Sequence, residues 1–348
     1  MCLNGSANLR MNILIVSGLG EKYLSRIRRE DDGRSDFLLH LFDYLSSIGV
    51  VNTSFKNCSR DDVDIEIHID CQIPRTAAKK VLFYFEDTNV RPKNYLASYI
   101  NYDKIFSIFN LNIRGNQTTY LAYPHDLKID EDIPSFSERS ITASMLATNR
   151  NVIFNCSKSL YNQRQEVIQQ FELIDNFDFR LFGKYWDKSF VKCGVMSRVQ
   201  FELSKRLSFR STVFTPSKKL KNWYGHASKK SEILKISKFN FCFENIYGLD
   251  GYISEKLLDS INFGSVPIYY PSYEIEKKFF PSELYYDYRD FENFESLIDF
   301  MENFDERAYN NWRSLAQDFL PNLKKRHSIE NFINRIDVGL NNILNINI

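Results

Sequence analysis

The sequence predicts an α/β protein of two domains, with parallel strands joined by helical crossovers. Three observations carry that prediction. At 348 residues the chain is longer than one ordinary core absorbs. Apolar runs of period two alternate with runs of period 3.6, as strands separated by helices do. The stretch 238–270 reads as strand, loop, helix and strand in a single pass, so its helix crosses over between parallel strands.

That stretch organises the rest. Phe239, Phe241 and Phe243 alternate as one apolar face of a strand that ends in Glu244 and Asn245. A loop with Gly248, Asp250 and Gly251 follows. A helix then starts near Tyr252, with Ile253, Leu257, Leu258 and Ile261 on one face, Ser254 or Asp250 as cap and Gly264 as stop. A strand at 266–270 closes the unit, Pro267 suiting its entrance. In open α/β sheets ligands collect at the carboxyl ends of strands, and helix N-termini attract phosphate. Glu244, Asn245, Tyr252, Ser254, Glu255 and Lys256 all fall at that edge. A carboxylate there suits ribose hydroxyls and a lysine suits a diphosphate. Read without that context, Glu255 answers the helix dipole and Lys256 is a solvated charge.

In chain order, residues 1–10 read as a disordered leader, because MNILIVSGLG makes a first strand (11–18) and turn. Gly18 and Gly20 lack the G-x-G-x-x-G spacing of a dinucleotide site and serve the turn. The charged segment 26–36 is a loop, and 37–47 is a helix ending near Gly49. Residues 61–70 alternate as a strand. Asp62 and Asp64 there, and Asp130 and Asp132 later, form acidic pairs of the kind that hold metals; for the first, a solvated strand edge is the simpler account. Further strands fall at 80–84, 102–109 and within 120–127, placing Glu86 just past a strand end. The polar segment 130–139 reads as a linker between a first domain (11–135) and a second (140–325). The second opens with 141–155, a helix at 160–171 and a strand at 179–183. An amphipathic helix at 291–304 closes it, and another at 328–344 packs back across the first domain.

Composition excludes several classes. A net charge of +1 gives no electrostatic case for nucleic acid or an anionic membrane surface. Five histidines without H-x-x-x-H spacing argue against zinc. The longest apolar run, 81–85, falls far short of the ~20 residues of a membrane span, which leaves at most peripheral membrane contact. The six cysteines include no C-x-x-C pair and read as free thiols in a reducing compartment.

FCFEN (241–245), GYISEKLLD (251–259) and SVPIYY (265–270) together resemble the donor-binding signature of the α1,3-fucosyltransferases of glycosyltransferase family 10. That signature reads aromatic strand, F-E-N, loop, Y-x-T-E-K, amphipathic helix and V-P-[IV]-[YV]; Ser254 keeps the hydroxyl of its threonine. Pro271, Ser272 and Tyr273 replace the G-x-P that usually follows, which alters the donor-pocket wall. The resemblance spans about 80–304, most densely 224–267. It implies the GT-B architecture, two Rossmann-like halves facing a cleft, and a soluble bacterial, cytoplasmic type. It also implies inverting transfer of L-fucose from GDP-fucose to a GlcNAc-type acceptor of a surface glycan.

The resemblance implies site roles as well. Glu86 followed by Tyr102-Asp103 matches the layout of the family's base, with Asp87 competing because Phe85-Glu86-Asp87 stands where G-E-N is usual. Phe154-Asn155-Cys156 stands for S-N-C, and Arg164 for the arginine that holds the diphosphate, with Arg150 the alternative. Asn245 and Tyr252 line the donor site, Glu255 holds ribose, and Lys256 takes leaving-group charge. No cofactor or metal is required on this reading, with Mn²⁺ at most stimulatory by binding released nucleotide. Other readings are another nucleotide-sugar donor on the same fold, or a non-catalytic nucleotide- or glycan-binding module, for which a base at Glu86 would be superfluous.

Overall fold

The computed structural model describes residues 11–18, 36–88, 90–111, 117–125, 127, 132–154, 156–188, 190–206, 220–273 and 280–344. The leader, Gly20, most of the loop at 26–36, Asp130 and Asn155 lie outside them. The chain divides into two compact units, Met1–Asp126 with His327–Ile348, and Leu127–Arg326. Among the described residues no helix is long and apolar enough to cross a membrane.

The first unit is built on a six-stranded sheet of β1 (Met11–Ser17), β2 (Gly49–Asn52), β3 (Ile65–Ile69), β4 (Lys79–Tyr84), β5 (Lys104–Ser107) and β6 (Thr118–Tyr120), in spatial order β2-β1-β3-β4-β5-β6. All its pairings are parallel. β1 is therefore the strand from which the order reverses. Helix α1 (Asp36–Ile48) turns directly into β2, which the sequence reading ended at Gly49 without a strand. A Cβ on Gly49 would lie 2.4 Å from the Met11 carbonyl, so the pairing of β1 with β2 needs glycine there. The strand expected over 61–70 is confined to Ile65–Ile69. Asp64 instead receives the Asn12 backbone N–H at 2.7 Å and Asp62 accepts from Ser59 Oγ at 2.7 Å, both local fastenings.

Helix α8 (Ile329–Leu344) belongs to this unit. It buries Phe332, Ile336, Gly339 and Leu340. Phe332 meets Phe37 of α1 edge-on, ring centroids 5.7 Å apart, and Tyr44 Oη donates to Asp337 at 2.6 Å. A Cβ on Gly339 would stand 2.6 Å from the Phe106 ring, so α8 packs against β5 with no room for a side chain at that position.

Beneath the sheet lies a polar chain that no pattern announced. Glu66 and His68 are fully buried; His68 bridges Tyr102 Oη (2.7 Å) and Glu66 (2.9 Å). Glu66 also accepts from the Arg75 and Thr76 backbones and from Thr76 Oγ1. Burial raises the Glu66 pKa, but the hydrogen bonds from His68, Thr76 and Arg75 outweigh it and hold the carboxyl at about 2. A carboxyl depressed on folding contributes stability that is complete above its unfolded value and is lost as pH falls towards the folded one. The contribution here is on the order of 3 kcal/mol. Glu66→Gln is expected to be less stable than wild type at pH 7, with the gap shrinking as pH falls from about 5 to 3. Urea unfolding at both pH values checks this; a gap independent of pH removes the charged state from the explanation.

The second unit has a five-stranded parallel sheet of β7 (Ile141–Leu146), β8 (Phe179–Phe182), β9 (Ser237–Phe243), β10 (Val266–Tyr270) and β11 (Tyr286–Asp287), ordered β11-β10-β9-β7-β8. The helices are α2 (Tyr161–Leu173), α3 (Val195–Arg206), α4 (Lys230–Ile236), α5 (Glu255–Asn262), α6 (Phe294–Asn303) and α7 (Glu306–His327), of which only His327 falls in the first unit. β9 is buried on both faces, as parallel strands covered by helices are. Phe239, Phe241 and Phe243 enter an aromatic core with Phe171 and Phe179, which stack at 4.0 Å. On the other face Asn240 donates to Ser260 Oγ of α5 at 2.6 Å.

Two expectations are corrected here. The polar segment 130–139 is not wholly a linker, because Phe136 and Arg139 are buried in this unit. Arg139 donates to the carbonyls of Leu234 and Ser237 and to Tyr309 Oη. Nor are all the cysteines free: Cys156 and Cys193, 37 positions apart, form a disulfide with Cα atoms 5.6 Å apart. Cys58, Cys71 and Cys242 are free thiols. Sequence spacing could not reveal the bridge, because the fold returns the chain to Cys156, with Gly194 N–H donating to the Val152 carbonyl beside it.

Candidate functional site

At the carboxyl edge of the second unit's sheet, β9 hands over to Glu244 and Asn245, and α5 begins at Glu255. Ser254 is its cap, with its backbone extended (φ −91°, ψ 177°), which decides between the two expected caps. Glu244 is fully buried; its Oε1 accepts from Ser254 N–H and from Tyr269 Oη, both at 2.9 Å. Burial and then the Glu244 charge hold the Tyr269 hydroxyl well above its ordinary pKa, so it stays a donor. Glu244 thus pins the start of α5 to the sheet. Its Oε2 is buried without a hydrogen bond and lies 3.8 Å from Lys256 Nζ.

Lys256 Nζ donates to Ser254 Oγ at 3.1 Å and lies 3.7 Å from Glu255 Oε1. The ammonium therefore stands between two carboxylates at a helix N-terminus, and keeps 22% of its side-chain surface open to solvent. Such a cation is tethered, yet reachable by an anion arriving at the helix end. Tyr252 is half-buried two residues before the cap.

Arg164 projects from α2 into the end of β9. It is 5% exposed, and Nη2 donates to the carbonyls of Phe243 (2.5 Å) and Glu244 (2.8 Å) and to Asn245 Oδ1 (3.0 Å). Its guanidinium lies 4.6 Å from the Tyr161 ring centroid, and Arg150 reaches the same ring at 5.4 Å while Nε donates to Tyr161 Oη. Burial draws the Arg164 pKa down. Arg164 and Arg150, posed as alternatives by the sequence, are gathered on one tyrosine. Asn245 is fixed by Arg164 and by its own carbonyl, which accepts from Leu160 N–H at 3.2 Å. Ser272, from the segment that departs from the resembled pattern, is buried; its carbonyl accepts from Gly248 N–H and its Oγ from Leu249 N–H.

Glu86 lies in the first unit, just past β4 and half-buried, whereas Asp87 is 5% exposed. The N–H groups of Phe85 and Glu86 both donate to Asp70 Oδ1 at 3.0 Å, and Asn94 Nδ2 donates to the Glu86 carbonyl and to Asp70 Oδ1. Asp70 itself has φ +53°, uncommon for a residue with a side chain. Asp103, by contrast, precedes β5 at the opposite edge of the sheet, where it accepts from Lys80 N–H at 2.8 Å, and Tyr102 bonds His68. Glu86 therefore does not share a sheet edge with Asp103. The sequence placed Glu244 at this edge without giving it a role, and Tyr269 and Asp70 were passed over.

The family model described as "Glycosyltransferase family 10 (fucosyltransferase) C-term" matches residues 155–333. The α-(1,3)-fucosyltransferase FucT of Helicobacter pylori is 38% identical over 84 residues, 24% of this chain and 17% of that protein's length. A crystal structure of an α1,3-fucosyltransferase with GDP superposes with a TM-score of 0.53 at 16% identity, over 100% of this chain and 94% of that one. A DNA-modifying β-glucosyltransferase, solved with and without uridine diphosphoglucose, gives 0.52 at 11% identity, over 97% and 100%. At such identities the two structures bear on fold alone, and with the two parallel-sheet units they place the chain in the GT-B class.

Proposed function

The chain belongs to glycosyltransferase family 10, and we propose that it transfers L-fucose from GDP-fucose to a hydroxyl of a glycan acceptor with inversion. The observation that carries this reading is the α5 N-terminus, where Ser254, Glu255 and Lys256 meet the buried Glu244 at the carboxyl end of β9. Lys256 and the first N–H groups of α5 neutralise the diphosphate as it leaves. Glu255 accepts from ribose hydroxyls, and Asn245 and Tyr252 line the donor. Arg164 acts on the diphosphate from the same carboxyl end of β9, with Arg150 beside it. Glu86 removes the acceptor proton as the anomeric carbon gains positive charge. The acceptor is a GlcNAc-type residue of a surface glycan. Protein cations do the work a divalent ion does elsewhere, so no metal is required and Mn²⁺ acts only on released nucleotide.

Lys256→Ala tests the reading. GDP affinity by calorimetry is expected to fall about tenfold or more, since a charge-assisted contact contributes ~1.5–3 kcal/mol, and turnover is expected to fall with it. Activity is expected to survive exhaustive EDTA. Unchanged GDP affinity would misplace the donor site, and activity restored only by added metal would overturn the metal-free mechanism. The altered segment Pro271, Ser272 and Tyr273 favours a second reading, a different nucleotide sugar, which a panel of donors in the same assay decides.

A further inference from the structure

A cavity of about 310 Å³ opens at the carboxyl edge of the first unit's sheet. Its walls include Ser17, the last residue of β1, with Gly18 after it, and Asp70, Cys71 and Gln72, directly after β3; Arg91, Lys93 and Asn94 also line it. β1 and β3 are neighbours, and the strand order reverses at β1, so the cavity occupies the topological switch point, where open α/β sheets take ligands. Its volume lies at the lower end of the ~300–1,000 Å³ usual for small-ligand sites, enough for one or two sugar rings.

The lining divides into groups committed to one another and groups that face the space. Asn94 and Asp70 are committed to each other, Asn94 also to Cys71 N–H and the Glu86 carbonyl, and Asp70 to the Glu86 backbone. They are wall. Ser17 and Gln72, each only 9% exposed, line the same space. A hydroxyl and a carboxamide can each both donate and accept, which fits a vicinal pair of sugar hydroxyls.

Charge narrows the ligand further. Asp70 is the one acid of the lining, and Arg91 Nε stands 3.9 Å from its Oδ2. Lys93 has no ion-pair partner among the described residues, which leaves the mouth one positive charge in excess. We propose that this cavity seats a saccharide carrying one acidic group, its hydroxyls paired by Ser17 and Gln72 and its carboxylate or phosphate met by Lys93 and Arg91. Because Asp70 in the cavity wall also fixes the Glu86 backbone, the seated sugar is the acceptor or its immediate neighbour. This last step rests on the function proposed above; the binding itself does not.

The test is calorimetry on the full chain with saturating GDP, so that the nucleotide site is closed to the added sugars. The probes are glucose, glucuronic acid and glucose 6-phosphate. The acidic sugars are expected to bind at least about tenfold more tightly than glucose at low salt, one charge-assisted contact's worth, and the stronger of the two tells carboxylate from phosphate. Lys93→Ala is expected to remove that preference and leave glucose unchanged. Gln72→Leu should weaken all three, and Gln72→Glu should reject the acidic pair while keeping glucose, with thermal melting confirming that each variant is folded. Equal affinity for glucose and the acidic sugars, a preference untouched by Lys93→Ala, or no binding of any probe would overturn the proposal. GDP titrated alone separates the two readings. Bound GDP with no sugar preference removes this cavity and spares the donor site; no GDP binding, with a preference that Lys93→Ala abolishes, does the reverse.

Discussion

Glu86→Gln is expected to bind GDP as wild type does and to lose transfer by about 10²–10⁴-fold, the usual cost of a missing general base. The side-chain amide matches the carboxylate in size but cannot take a proton from the acceptor hydroxyl. The variant should also fold normally. The contacts that hold this position, to Asp70 and from Asn94, run through the Glu86 backbone N–H and carbonyl, which the substitution leaves alone. Steady-state transfer with calorimetry for GDP checks both halves. Turnover close to wild type would move the role to Asp87, although Asp87 is 5% exposed and so less accessible to an acceptor. If both single variants turned over normally, base catalysis by this segment would be lost.

Arg164→Ala is expected to cost more stability than any other change at the donor edge. Nη2 satisfies two main-chain carbonyls, Phe243 and Glu244, in a site nearly closed to water, and it also fixes Asn245. Each buried acceptor left unpaired costs about 1–3 kcal/mol, so a loss of ~2–5 kcal/mol in urea unfolding is expected, together with weaker GDP binding. Arg164→Lys separates the two possible reasons for the weaker binding. A lysine keeps the charge on a shorter side chain, so its ammonium falls short of the place Nη2 holds among the three acceptors. If charge alone serves the diphosphate, GDP affinity survives in the lysine variant while stability falls. If the β9 terminus must be held in place first, affinity and stability fall together, and the geometry favours this second outcome. Stability unchanged in Arg164→Ala would contradict the hydrogen bonding described here.

The donor unit was the most legible part of the chain because its signals are local. Strand alternation, the loop glycines, a serine before Glu-Lys and Gly264 after the helix lie within 33 consecutive residues. Each specifies a backbone state without help from elsewhere. The longest helix among the described residues, Glu306–His327, passed unread because its apolar positions are sparse and it carries Pro321 within it, a residue that ordinarily ends a helix. It is held by burial of Tyr309, Trp312, Ala316, Leu320 and Leu323 rather than by its own pattern. Helices Val195–Arg206 and Lys230–Ile236 also went unread.

By itself, then, the sequence determined the parallel α/β class, the crossover between β9 and β10 and the residues that collect at the α5 N-terminus, all consequences of short-range periodicity and capping. Tertiary structure alone decided which of these polar groups are spoken for. Glu244 and Arg164 look alike in sequence as candidates for a ligand, yet the fold buries both. Desolvation obliges a buried charged group to find partners within the protein, and here those are Ser254, Tyr269 and the β9 carbonyls. The joining of Cys156 to Cys193, the Glu66–His68–Tyr102 chain and the placement of Ser17 beside Gln72 are of the same kind. Each depends on segments far apart in the chain meeting at one sheet, and no spacing rule reaches across such distances, because the separation is set by the intervening fold rather than by the residues themselves.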